Sequence, residues 1–145
     1  MHESLETFQD SSLSNQRWNG TSGEVNIHRI TDDAVLVEMC GALTDEAEPL
    51  FSTDLRHHVI DGASRIFFHA AELEHFTSNV RDSIFGVFRN VNDRIVAVHV
   101  FANPSSWPIQ MGIKVGNLIL KADVVSYKTN DAFIEALDRA VRGSS

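Results

Sequence analysis

The sequence predicts an α/β domain: a mainly parallel sheet of about five strands, an antiparallel edge hairpin and about four helices. Three observations carry this. A length of 145 residues amounts to about one domain. A content of 43% hydrophobic and 22% charged residues is that of an ordinary globular chain. From Glu24 onward, β-rich runs alternate with stretches whose apolar residues recur at helical spacing, so right-handed β-α-β crossovers are the expected connections.

Residues 1–23 are rich in Ser, Asn, Gln and Thr, and Leu5, Phe8, Leu13 and Trp18 fit no single period. Such a stretch buries too little apolar surface to offset its ordering entropy and reads as a flexible arm, with Trp18 placed to tuck against the domain edge or another subunit. The folded domain is expected over 24–143. Val25 and Ile27 form one strand and Ala34 to Met39 the next, with Thr31-Asp32-Asp33 as the hairpin turn. Gly41 ends the second strand, and Thr44 caps a helix running to about Ile60, whose stripe is Ala47, Leu50, Phe51, Leu55 and Val59. Asp61-Gly62 closes that helix.

Arg65 to His69 reads as a strand covered on both faces, followed by a loop from Ala70 to Thr77. Val80, Ile84, Val87, Phe88 and Val91 mark a second helix, with Thr77 or Ser78 as its cap. Arg94 to Phe101 is the most strongly β segment and is expected at the sheet centre. Pro108 suits the first turn of a third helix that is apolar nearly all round, from Ile109 to about Asn117. Asp123 to Tyr127 gives the last strand, and Thr129-Asn130-Asp131 caps a final helix carrying Phe133, Ala136, Leu137, Ala140 and Val141.

Twelve basic against 20 acidic residues leave a net charge of −8, which repels phosphate backbones and argues against nucleic acid as a partner. The single cysteine, Cys40, forms no internal disulfide and supplies no repeated thiolates for a metal cluster, as expected of a reducing cytoplasmic setting. The first twenty residues lack the basic start and apolar core of an export signal. Neither a G-x-S-x-G elbow nor a glycine-rich phosphate loop occurs, so serine-hydrolase, dinucleotide and P-loop chemistries are disfavoured. Asp54, His57 and His58, and His69, Glu72 and His75, are the groupings that invite a metal. Adjacent His57 and His58 diverge by about 100° on a helix, so the expectation is solvated surface histidines, no metal and no cofactor. His28 and His99 fall in strands, as edge or satisfied core residues.

Two features rise above this background. Glu74 to Val80 places hydroxyls at a helix start, where an added phosphate would meet free N–H groups and a favourable dipole. Residues 107–120 carry Trp107, Ile109, Met111, Ile113, Val115, Leu118 and Ile119, more apolar side chains than one sheet-facing stripe can absorb. The surplus fits a dimer contact, a partner groove or an apolar ligand pocket.

From about Glu24 to Val141 the chain resembles the STAS and SpoIIAA-like superfamily of anti-sigma factor antagonists. The resemblance rests on Val35 to Thr44 leading into the first helix, Arg65-Ile66-Phe67-Phe68 before the helix at Ser78, and Arg94 to Val98. It rests further on Trp107 opening a helix, the strand Ala122 to Tyr127 and the closing helix Asp131 to Leu137. It implies a single domain of that fold. In phosphorylated STAS proteins a kinase modifies a serine in an Asp-Ser-Ser-Gly-like turn at the start of the second helix. Here that turn is Thr77-Ser78-Asn79-Val80, with Thr77 in place of the acid and Val80 in place of the glycine.

The resulting expectation is a non-enzymatic regulatory module that binds another protein, an anti-sigma factor or kinase-like partner, through Thr77, Ser78, Asn79 and Arg81, with Ser78 as the phosphorylation candidate. The alternative is a carrier or sensor of an apolar small molecule or lipid held by Phe85, Phe88, Trp107 and Met111. A third reading is an enzyme with a histidine-containing site. A homodimer is a further option.

Overall fold

A computed structural model describes residues 15–90, 92–102, 105, 107–119 and 121–143. Six strands form one sheet in chain order: β1 (Asn15–Asn19), β2 (Gly23–Arg29), β3 (Ala34–Leu43), β4 (Arg65–Phe76), β5 (Ala97–Ala102) and β6 (Asp123–Tyr127). The pairs β1–β2 and β2–β3 are antiparallel, and β3 to β6 run parallel. Helix α1 spans residues 45–60 as a 3-10 turn Asp45–Ala47, a π-helical stretch Leu50–Leu55 and an α-helical end Arg56–Ile60. Helices α2 (Ser78–Asn90), α3 (Trp107–Ile119) and α4 (Asn130–Gly143) complete the set.

The sheet thus has six strands where about five were expected, and the extra one lies in the stretch read as an arm. In β1, Trp18 pairs opposite Val25 and packs on the core, while the other residues are polar. One apolar side chain in five residues is too little alternation to announce a strand, and an edge strand needs no more. Residues 1–14 lie outside the described residues.

The strand starting at Arg65 does not end at His69. It continues through Phe76, replacing the expected loop, and its pairing with β3 shifts at two points, between Glu38 and Cys40 and between Gly41 and Ala42. Each shift adds one residue on the β4 side, so the core-facing series runs Phe68, Ala70, Leu73, Phe76 instead of alternating strictly. Gly41 lies inside β3 rather than at its end. Its φ of 71° is open to glycine, and a Cβ there would overlap the Ser22 carbonyl oxygen. The segment expected at the sheet centre forms β5, second from the edge, and its first residue, Arg94, instead ends a 3-10 turn Asn92–Arg94; β3 and β4 hold the centre.

Three helices cover one face of the sheet and one covers the other. On the first face Val25, Ile27, Val35, Val37, Ile66 and Phe68 meet Phe51, Leu55, Val59, Val80 and Phe88. On the second, Phe133, Ala136 and Ala140 of α4 pack on Phe67 and Ala34. Thr44 makes no side-chain cap to α1, contrary to expectation, whereas Thr77 caps α2 by accepting from the Val80 N–H (3.3 Å) and Thr129 caps α4 by accepting from the Ala132 N–H (3.1 Å).

Candidate functional site: an apolar cleft between two helices

Helix α2 packs on α1, and α3 rests on β5 and β6. Between α2 and α3 the sheet is left partly uncovered, and a cleft of about 360 Å³ opens there. Its floor is Phe68, Ala70 and Leu73 of β4 with Val98 and Val100 of β5, and Met39 and Val124 extend it onto β3 and β6. One wall is Ile84, Phe85 and Phe88 of α2, and the other is Ile109, Met111, Gly112, Ile113, Val115 and Gly116 of α3. This volume lies in the range of about 300–1,000 Å³ typical of small-molecule pockets. It also exceeds the about 150 Å³ of an apolar cavity that takes benzene.

Three of the four residues read as an apolar lining, Phe85, Phe88 and Met111, therefore border one cleft. The fourth, Trp107, opens α3, and its side chain lies outside the described residues. The surplus apolar character of α3 is divided between the cleft and solvent: Ile109 is buried, whereas Leu118 is 85% exposed. Sequence reading missed the floor, because β4 was cut short, and it missed Arg81 as a lining residue. Arg81 is the one charged side chain among the described lining residues, and it had been assigned to a partner face. The spacing of Gly112 and Gly116 was the available signal: two glycines one turn apart leave a helix wall without side chains.

The turn before α2 is built around Asp45. Thr77 Oγ1 donates to Asp45 Oδ1 (2.6 Å) and Asn79 Nδ2 donates to Asp45 Oδ2 (3.0 Å). Ser78 and Asn79 are exposed at the start of α2, and Arg81 follows within the first turn, paired with the Asp82 carboxylate at 3.2 Å. Ser83 Oγ donates to Glu48 Oε2 (2.5 Å), and Asp45, Glu48 and Asp82 line a second, polar recess beside the turn. A phosphate on Ser78 would gain the helix N-terminus but face this acidic surround.

Among the described residues the histidines do not converge. His58, expected on the surface, is fully buried: its Nε2–H donates to Gln16 Oε1 (2.7 Å) and its Nδ1 accepts from Arg29 Nη1 (3.2 Å). Burial, reinforced by the Arg29 and His57 charges, lowers its pKa to about 4, so it is neutral at pH 7 and ties β1 and β2 to α1. His28 bonds Asn15 and Glu38, His69 bonds Asn130, and His99 stacks on Phe67 and bonds the Tyr127 hydroxyl (2.8 Å). Among the described residues no group of three or more His, Cys, Asp or Glu is placed to hold a metal ion. Cys40 is half-buried, and burial followed by the Glu24 and Glu72 charges raises its pKa, the opposite of an activated thiol. Among the described residues no helix is long and apolar enough to cross a membrane.

No family model matches the chain, and no curated protein matches its sequence. Solved structures do match. The anti-sigma factor antagonist SpoIIAA in its unphosphorylated form superposes with a TM-score of 0.61 at 18% identity, over 82% of this chain and 98% of that one. The fold is SpoIIAA-like. The phosphorylated Bacillus cell fate determinant SpoIIAA matches with a TM-score of 0.59 at 17% identity, over 80% of this chain and 98% of that one. An uncharacterized DUF3478-family protein with a SpoIIAA-like fold from Shewanella loihica PV-4 matches with a TM-score of 0.59 at 15% identity, over 83% and 97%. The resemblance read from the sequence thus holds at the level of fold, and it is the SpoIIAA-like sheet that forms the floor of the cleft.

Proposed function

We propose that this SpoIIAA-like domain works by binding rather than by catalysis, taking an apolar small molecule or acyl chain into the cleft between α2 and α3. The observation that supports this reading is the cleft itself: about 360 Å³ bordered by aliphatic and aromatic side chains in a domain otherwise packed around two cores. Protein interiors hold few voids larger than a water molecule, and water in an apolar space lacks the polar partners that would hold it. An apolar occupant removes that surface from water at about 25 cal/mol per Å². The described lining residues offer no acid, base or nucleophile. The reading is tested by titrating the protein with the neutral apolar dye Nile red. Saturable binding at one site, lost when Gly112→Leu fills the cleft, is the expected result; binding that is absent or indifferent to the substitution refutes it.

A second reading has support of its own. Thr77, Ser78, Asn79 and Arg81 sit side by side at the start of α2, and structures of anti-sigma factor antagonists, one of them phosphorylated, share the fold. An anti-sigma factor or kinase-like protein docking there, with Ser78 as the modified residue, makes the domain a regulatory module. The two readings are compatible, since α2 carries both the turn and one wall of the cleft.

A further inference from the structure

We propose that Arg81 selects the head of the ligand, so that the cleft takes a single apolar tail ending in an anionic group, a carboxylate or a phosphate monoester. This rests on the cleft reading above and names the chemical class of its occupant. Among the described lining residues Arg81 is the sole charged one, and none of them is Asp or Glu, although the chain carries 20 acidic residues. Arg81 belongs to the α2 wall while its side chain is 51% exposed, which allows a long cation to lay its methylenes on apolar surface and keep its charge in water.

Its present partner is a weak competitor. Arg81 Nε and Nη2 both reach the same oxygen, Asp82 Oδ1, at 3.2 Å, from the adjacent residue on the helix, and Asp82 is 65% exposed. Neighbouring residues on a helix point apart, and an exposed pair of this kind contributes little. One oxygen also leaves the two-pronged face of the guanidinium half used, whereas a carboxylate or phosphate head satisfies it with two parallel N–H···O bonds. The other nearby carboxylates are engaged: Asp45 by Thr77 and Asn79, and Glu48 by Ser83. An apolar tail in the cleft and an anionic head on Arg81 are therefore served by one bound molecule.

The test is calorimetric titration of the folded full chain with four probes sharing a decyl tail: decanoate, decyl phosphate, decanol and decyltrimethylammonium. The expected order places the anionic probes about three- to tenfold tighter than decanol, as for charge-assisted hydrogen bonds at a half-exposed site, with the ammonium weakest. In Arg81→Gln the four affinities converge, and in Asp82→Asn the preference for anions widens. Whichever anionic probe is tighter assigns the head as carboxylate or phosphate. Equal affinities in the wild type, or a preference that survives Arg81→Gln, overturn the head-group assignment while leaving the cleft reading intact, provided Gly112→Leu still weakens every probe. Failure of the wild type to bind any of the four overturns both.

Discussion

Replacing Gly112 by leucine fills the cleft from the α3 wall. Apart from its own helix turn, a Cβ built at this position meets no atom within 4 Å, and the backbone there is helical, so a side chain can start from it without strain. Two favourable effects add. A residue with high helix propensity replaces glycine in a helix interior, which gains about 1 kcal/mol. The leucine side chain then enters a cleft bordered across from it by Phe85 and Phe88 and open on one side, so about half of the roughly 2 kcal/mol of full burial is recovered. The sum, about 2 kcal/mol, raises Tm by about 4–8 °C for a domain of this size. Thermal unfolding followed by circular dichroism measures this gain in stability, and Nile red titration measures the accompanying loss of binding. A variant that is less stable than wild type, or that is more stable yet binds the dye unchanged, refutes the reasoning, because either result means that the leucine is not occupying the ligand's space.

Further predictions concern the supports of the site and the second reading. His58 has a folded pKa of about 4 against 6.5 unfolded, so between these values the unfolded chain binds more protons and stability falls as the pH falls. About 3 kcal/mol is lost across that window, with His99, also lowered by burial, adding in the same direction. Urea unfolding at pH 6.5 and about pH 4 checks this, and His58→Gln shows a shallower slope. Phe133→Ala removes the residue that meets Phe67, His69, Phe101 and Tyr127 on the second face, and it costs about 3–5 kcal/mol in the same urea assay. Ser78→Asp changes capture of a protein partner in pull-downs if the turn before α2 is a phosphoswitch; unchanged capture removes that reading.

How much of this was legible in the sequence depends on how strictly each element keeps its period. Strands β2 and β6 and helices α2 and α4 keep theirs, and their positions could be read directly, as could the start of β3 at Ala34. Strand β4 could not be followed past His69, because each added residue reverses which side chains face the core, and the pattern Ala70, Leu73, Phe76 then resembles no strand. Since Ala70 and Leu73 belong to the floor of the cleft, the site was legible only as its walls, Phe85, Phe88 and Met111. His58 looked like a solvent-facing residue beside His57 because its partners, Gln16 and Arg29, are distant in sequence and one of them lies on a strand that composition conceals. Arg81 was read with the polar turn it adjoins; only the position of α3 across from it shows that it also borders apolar space.

The most direct test of the central claim is native mass spectrometry of the protein purified from its own cells under mild conditions. The account predicts one bound molecule per chain, released on organic extraction as an apolar-tailed compound and missing from Gly112→Leu protein. A wild-type chain that arrives bare, and stays bare after incubation with cell lipid extract, contradicts it.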